Sequence, residues 1–137
     1  MRLNLIDKIG SRSPDSLTGI KNVTSAEEYL GDHFPGFPVL PGVFMLETMA
    51  QAGRHFVDGL PDAPLMPLMV TRVRNLRYAA MVRPGETLKV EVKLKKREMV
   101  DGRDTFDFEG TGWNGEAVAV QGRFSLTPLS QPSAISV

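Results

Sequence analysis

The sequence lacks several features that mark common functional classes. It contains no cysteine, which excludes disulfide bonds, thiolate nucleophiles and cysteine-ligated metals. Its 16 Lys and Arg balance its 16 Asp and Glu, so no overall charge favours nucleic acid or an anionic membrane surface. Any chemistry must therefore use other side chains. The absence of cysteine also suits a reducing compartment, and we expect the protein to be cytoplasmic.

Long apolar runs are missing as well. Residues 1–13 are interrupted by charged side chains, so we expect no signal peptide. The longest apolar region, residues 34–49, contains three prolines and is not expected to span a bilayer. Of the 137 residues, 42% are hydrophobic, which is enough to bury one core. We predict a single domain over residues 1–127 and a flexible, polar tail over residues 128–137.

The spacing of apolar residues predicts strands on both sides of one helix. Two short apolar segments around the turn-rich residues 11–15 predict a hairpin. Apolar residues then recur at three- and four-residue steps from Val43 to about Leu60, which predicts an amphipathic helix. Strict alternation over 88–94 predicts a strand, and Asp101-Gly102 and Asn114-Gly115 are typical of hairpin turns. The pattern therefore predicts an α+β domain with three consecutive antiparallel strands after the helix.

Residues 31–53 carry the pattern most suggestive of chemistry. Its prolines stiffen the path between His33 and the helix, so the imidazole is presented at a defined place. The backbone N–H groups of Gly42 and Val43 lie at the predicted helix N-terminus, where they lack intrahelical partners and can hold an oxyanion. Glu47 follows between one and two turns later. A base, an acid and an oxyanion site are thus expected to be neighbours.

Pattern alone leaves plainer interpretations open. His33 fits an ordinary loop residue, and Glu47 fits a solvated helix face that it would share with Gln51, Arg54 and His55. Several methionines suit either an adaptable acyl pocket or core filling, namely Met45, Met49, Met66, Met69 and Met81.

Three arginines close together in the sequence point to a different feature. Arg72, Arg74 and Arg77 follow one another at short steps. Such a group of cations can meet an acidic partner.

Residues 31–53 also resemble the signature of a known protein family. The stretch reads His33-Phe34-Pro35-Gly36-x-Pro38-Val39-x-Pro41-Gly42-Val43, followed by Glu47 and Ala50-Gln51. This string closely resembles the signature of the 3-hydroxyacyl-(acyl-carrier-protein) dehydratases of the FabZ type. The similarity continues through residues 20–24 and 83–88, and can be followed over about residues 5–126.

The resemblance implies a hot-dog fold, in which a six-stranded antiparallel sheet wraps a central helix. It also implies a homodimer with a continuous sheet and two shared sites, each taking His33 from one subunit and Glu47 from the other. Such dimers commonly assemble as trimers of dimers.

The activity implied is that of a hydro-lyase of fatty-acid biosynthesis, which converts 3-hydroxyacyl thioesters of acyl carrier protein or CoA into trans-2-enoyl thioesters without metal or cofactor. His33 would remove the α-proton. Glu47 would protonate the leaving hydroxyl if apolar surroundings keep it neutral. The amides of Gly42 and Val43 would polarise the thioester carbonyl, with Pro41 and Gln51 in supporting positions.

Some positions depart from the family pattern. Asp32 stands where Gly is usual, and its carboxylate would either favour a protonated His33 or point to water. Residues 78–81 replace a stretch that often contains a Lys-Arg pair, which bears on docking of the carrier protein, and we expect no counterpart of the customary N-terminal helix before the first strand. Two alternatives keep the fold. One is an acyl thioesterase in which Glu47 activates water, and the other is a non-catalytic acyl-binding protein.

Overall fold

A computed structural model describes residues 4–24 and 39–129 of the chain. These residues form one helix, α1 (Gly42–Asp58), and six strands: β1 (Lys8–Arg12), β2 (Ser16–Asn22), β3 (Leu68–Tyr78), β4 (Thr87–Val100), β5 (Arg103–Asn114) and β6 (Ala117–Pro128). The strands form one antiparallel sheet in the order β1-β2-β4-β5-β6-β3, and α1 packs against it. The predicted α+β class, with a six-stranded antiparallel sheet around a helix, is confirmed. Within the described ranges, no helix is long and apolar enough to cross a membrane.

Both ends of α1 are fixed by neighbouring residues. Pro41 precedes the helix in an extended conformation with φ −60° and ψ 143°, and the helix ends at Asp58, slightly before the predicted Leu60. At the C-terminus, Arg12 of β1 donates a 2.6 Å hydrogen bond from Nη2 to the carbonyl of Phe56. The guanidinium also lies 4.8 Å from the centre of the Phe56 ring. The Phe56 carbonyl also accepts a hydrogen bond from the amide of Gly59 at 3.2 Å, and the Arg12 cation complements the negative end of the helix dipole.

The buried face of α1 contacts the sheet through a dry aromatic layer. Phe56 meets Phe108 edge to face at 5.9 Å, and Phe108 stacks on Phe124 at 5.4 Å. Gly53 lets the helix approach closely, because a Cβ there would lie 3.0 Å from Cδ1 of Leu126. The helix is therefore closely packed against the sheet. This packing fixes the direction in which the opposite face of α1 points.

The pattern missed one strand. We predicted three strands after the helix, and the structure has four, because β3 was not recognised. β3 forms an edge of the sheet, is exposed at most positions and shifts register twice against β6. Asn75 lies within it at φ 54°. An irregular edge strand buries no continuous alternating face, so it lacks the period-two signal from which strands are recognised.

The two predicted hairpin turns are present, one of them shifted. Asp101 and Gly102 join paired residues Val100 and Arg103 with positive φ angles of 50° and 78°, as in a type I′ turn. The second loop is Gly115-Glu116 rather than Asn114-Gly115, because Asn114 pairs with Ala117. β6 runs through Pro128, the first residue of the predicted tail, and residues 130–137 lie outside the described part of the chain.

Candidate active site

The predicted site residues fall at separate positions along and before α1. Pro41, Gly42 and Val43 lie at the start of the helix, and Glu47 and Gln51 lie along it. His33 and Asp32 lie outside the described residues. The structure therefore describes two parts of the predicted site, namely the carboxyl group of Glu47 and the N-terminus of α1.

The start of α1 offers two backbone donors. The carbonyl of Pro41 accepts hydrogen bonds from the amides of Phe44 at 3.0 Å and Met45 at 3.3 Å. The amides of Gly42 and Val43, which precede the first intrahelical donors, donate to no backbone carbonyl within residues 4–24 and 39–129. Val43 is 62% exposed. These two N–H groups are available to an incoming carbonyl oxygen at the positive end of the helix dipole.

Tyr78, at the end of β3, covers Gly42 from one side. A Cβ on Gly42 would lie 2.9 Å from Cζ of the Tyr78 ring, so only glycine allows the aromatic ring to rest against the helix start in this way. Burial raises the pKa of the Tyr78 phenol, which keeps the hydroxyl neutral. This residue was noted in the sequence only as part of a departure from the family pattern, and no periodic signal linked it to Gly42.

Glu47 lies in a hydrogen-bonded network that crosses three parts of the fold. Its Oε2 atom accepts hydrogen bonds from Nη1 of Arg54 at 2.8 Å and from Nε2 of Gln51 at 3.1 Å. Gln51 in turn accepts a 2.8 Å hydrogen bond from the amide of Leu5. Arg54 donates from Nε to the carbonyl of Leu68 at 2.9 Å. The carboxylate is thus linked to the segment before β1 and to the start of β3.

This network bears on the condition attached to the predicted acid role of Glu47. That role required apolar surroundings, whereas the nearest partners of its carboxyl group are a guanidinium and an amide. The pair is also partly hydrated, since the side chain of Glu47 is 36% exposed and that of Arg54 is 29% exposed. An ion-paired carboxylate accepts hydrogen bonds and has no proton to donate.

A groove of about 860 Å³ runs along this side of α1. One wall comes from the segment before and within β1, and the other from α1 and the loop before β3. The lining residues are Asn4, Ile6, Asp7, Lys8, Ile9, Glu47, Gln51, Arg54, His55, Asp58, Met66, Pro67 and Leu68. The groove is large enough for a small-molecule ligand, and it mixes apolar walls with a few polar groups, as binding sites do.

The groove does not include the helix N-terminus. Gly42 and Val43 are absent from its lining. At about 100° per residue, the Glu47 side chain lies roughly 140° around the helix axis from Gly42 but only about 40° from Val43. The predicted carboxylate therefore lines the groove, whereas the predicted oxyanion donors lie at the helix N-terminus, outside the lining of the groove. A single copy of the chain does not bring the two together in this groove.

Arg54 is the residue that sequence reasoning undervalued. It stood in the polar stripe with Glu47, seven residues later, and seven residues is close to two helical turns. That spacing was a usable signal for contact. His55 also lines the groove. In residues 4–24 and 39–129, no group of three or more His, Asp or Glu side chains could hold a metal ion.

The methionines divide between the two interpretations left open by the sequence. Met45 and Met49 are buried in the core, Met66 lines the groove, and Met69 and Met81 are exposed.

The three arginines of β3 share the face of the sheet that is turned away from the helix. Arg72, Arg74 and Arg77 pair across β6 with Ser125, Arg123 and Gln121. Arg74 and Arg123 are directly opposite one another, an arrangement of like charges that costs stability. Arg123 forms an ion pair with Glu109 at 3.5 Å. Among the described residues, the three arginines of β3 form no ion pair. We call these four side chains the basic patch.

Comparisons with known proteins agree on one family. A sequence model described as ApeI dehydratase, of the ApeI-like family, matches residues 10–122. A 3-hydroxyacyl-(acyl-carrier-protein) dehydratase FabZ from Pelotomaculum thermopropionicum is 34% identical over 118 residues, covering 85% of this chain and 81% of the relative. A FabZ from Solibacter usitatus is 41% identical over 69% of this chain, which spans 59% of that relative's length.

Solved structures show the same fold. The dehydratase heterocomplex ApeI:P from Xenorhabdus doucetiae matches with a TM-score of 0.69 and 21% identity over 96% of this chain and 87% of that one. The fluoroacetyl-CoA thioesterase FlK matches with a TM-score of 0.69 and 19% identity over 91% of this chain and 93% of its own. The predicted hot-dog fold is confirmed. Because this fold carries both a dehydratase and a thioesterase, the fold by itself does not specify the reaction.

Proposed function

The chain belongs to the ApeI-like dehydratase family, and from this premise we propose that it is a hydro-lyase that converts 3-hydroxyacyl thioesters into trans-2-enoyl thioesters. The observation that carries the proposal is the carboxylate of Glu47, which is held by two donors in a ligand-sized groove within the matched region. An elimination of this kind needs a base for the α-proton, a site for the developing enolate oxygen, and a group that orients the leaving hydroxyl.

His33 is proposed as the base. Its neutral imidazole removes the α-proton, and the electron pair moves toward the thioester carbonyl. The amides of Gly42 and Val43 then hold the developing oxyanion, a role supported by their position in the first turn of α1, before the first intrahelical donors. The enolate reforms the carbonyl as the bond between C3 and the hydroxyl oxygen breaks.

The role of Glu47 follows from its ion pair. A carboxylate paired with Arg54 accepts a hydrogen bond from the 3-hydroxyl group and so orients it. The proton that His33 removed from the α-carbon is then returned to the leaving oxygen, and water departs. The atoms balance without any co-reactant, and His33 ends the cycle neutral.

We propose that the site is completed by a second copy of the chain. Glu47 lines the groove whereas Gly42 and Val43 do not, which supports a site that takes the amides and His33 from one protomer and Glu47 from the other. β3 is an edge strand 11 residues long, and an edge strand can pair with its equivalent in another protomer to give a continuous sheet. Sedimentation analysis should give a dimer or a trimer of dimers. A monomer that retains full activity would contradict a shared site.

The substrate is proposed to arrive on acyl carrier protein. The relatives are named for that carrier, and the basic patch would complement an acidic partner. CoA thioesters present the same acyl group without the protein surface, so the two carriers can be compared directly.

One assay tests the function. Purified protein is supplied with 3-hydroxyacyl and trans-2-enoyl thioesters on both carriers, and the absorbance of the enoyl thioester is followed. We expect interconversion in both directions. Release of free thiol from a saturated acyl-CoA would indicate a thioesterase instead, and acyl-chain binding without turnover on either carrier would indicate a binding protein.

A further inference from the structure

We infer that Arg54 is the positioning residue that orients Glu47 and leaves Oε1 as the carboxylate oxygen that reaches the substrate. This inference rests on the proposed function, because it assigns a second residue and a specific atom to the same site. It depends on the contacts that hold Arg54, on the contacts that hold Glu47, and on the carboxylate oxygen that these contacts do not use.

Arg54 is fixed at two points. Its Nε donates to the carbonyl of Leu68 at 2.9 Å, and its Nη1 donates to Oε2 of Glu47 at 2.8 Å. A guanidinium group is planar and rigid, so two bonds from different nitrogens define the orientation of the whole group. The start of β3 therefore sets the position of the cation against the helix.

Glu47 is held through one oxygen only. Both Arg54 and Gln51 donate to Oε2, and the amide group of Gln51 is oriented by the amide of Leu5, which donates to its oxygen at 2.8 Å. With its oxygen occupied in this way, Gln51 presents its NH₂ group to the carboxylate. Two donors from different turns of the helix thus select one rotamer of Glu47.

Oε1 is the oxygen that remains. Within residues 4–24 and 39–129, this oxygen takes part in no hydrogen bond or ion pair. The groove that Glu47 lines also contains four other charged or titratable groups, Asp7, Lys8, His55 and Asp58, and of the described cations only Arg54 forms an ion pair with Glu47. Oε1 is therefore placed to accept the hydrogen bond of the substrate hydroxyl.

A structural role for the pair is the competing interpretation. An ion pair as exposed as this one adds little to folding stability. Its loss should therefore appear in the rate of the reaction rather than in the fold, and the two interpretations differ in what they predict for the rate.

The test is a double-mutant cycle on dehydratase activity with CoA-bound substrate. We expect Arg54→Met to lower kcat about 10- to 100-fold with little change in KM, because a misplaced catalytic group costs rate rather than affinity. Arg54→Lys keeps the charge and should recover part of the loss. In a Glu47→Gln background, Arg54→Met should have no further effect, since the residue acts through the carboxylate.

A matched control variant accompanies the Arg54 and Glu47 variants, and the same measurements give the outcomes that would contradict the inference. Lys96→Met removes an exposed cation that pairs with Glu98 at 3.2 Å outside the groove, and it should leave kcat unchanged. An equal loss of kcat from Arg54→Met in the presence and absence of Glu47 would overturn the inference, as would wild-type kcat in Arg54→Met. Arg54→Gln provides a second polar variant if the methionine variant does not fold. An inactive wild-type protein would refute the proposed function and this inference together, whereas an active wild-type protein with additive losses refutes the inference alone.

Discussion

Replacing Glu47 with glutamine should separate catalysis from stability. The change keeps the shape of the side chain and removes its charge. We expect kcat for dehydration to fall about 100-fold, the scale expected when a group that positions the reacting hydroxyl is lost. That factor corresponds to about 2.7 kcal/mol of transition-state stabilisation.

The effect on stability should be much smaller. Glu47 and Arg54 meet at 2.8 Å, but their side chains are 36% and 29% exposed, so water screens the pair. Partly exposed ion pairs contribute about 0–1 kcal/mol. The glutamine side chain can still accept a hydrogen bond from Arg54, which limits the loss further. We therefore expect the free energy of unfolding to fall by less than about 1 kcal/mol.

Two measurements check this prediction. Steady-state kinetics by enoyl absorbance give kcat, and urea denaturation followed by circular dichroism gives the free energy of unfolding. Glu98→Gln is the matched control, because Glu98 is a carboxylate paired with Lys96 at 3.2 Å outside the groove. Wild-type activity in Glu47→Gln would refute the assignment of the carboxylate. A loss of several kcal/mol in stability would instead show that the network serves the fold.

Three further predictions concern other parts of the molecule. Phe108→Ala removes a fully buried ring that contacts two other aromatic rings, and it should lower the free energy of unfolding by about 3–5 kcal/mol in urea denaturation. Reversing the charges of Arg74 and Arg77 should raise KM for carrier-bound substrate at low salt and leave KM for CoA-bound substrate unchanged, and equal effects on both carriers would contradict docking at the basic patch. Arg97→Met should lower Tm at pH 7 by removing the hydrogen bonds of the guanidinium to Asp62 and to Asp104. The hydrogen bonds from Arg97 hold the pKa of Asp62 below its ordinary 3.8, so the part of the stabilisation that involves Asp62 is present above that pH, and the difference in Tm should shrink as the pH falls below it.

The outline of the fold was predictable because its signals are local. The periodicity of residues 43–60 gave the helix to within about two residues of Gly42–Asp58, and the alternation around Val90 gave β4. Each of these elements buries one regular face, so its apolar residues recur along the sequence with the period of a helix or a strand. β3 was missed for the same reason, since an exposed, irregular edge strand has no such face.

The candidate site was only partly predictable. The Pro/Gly pattern indicated Gly42 and Glu47 as candidate functional residues. It could do so because proline restricts the backbone conformation and glycine widens it. It did not reveal the groove that Glu47 lines and from whose lining Gly42 is absent. Arg54 and Leu68 are separated by 14 residues, and only the packing of the β3 start against the helix brings them together.

The sequence by itself determined which residue types are present for chemistry, where the helix lies and which family the signature resembles. The tertiary structure decided the surroundings of Glu47. An apolar environment and an ion pair are both compatible with the same helical pattern, because the partners of a side chain come from elements that are remote in sequence. The contacts with Arg54, Gln51, Leu5 and Leu68 depend on how the edge of the sheet closes over the helix, and that closure surrounds the carboxyl group of Glu47 with polar partners.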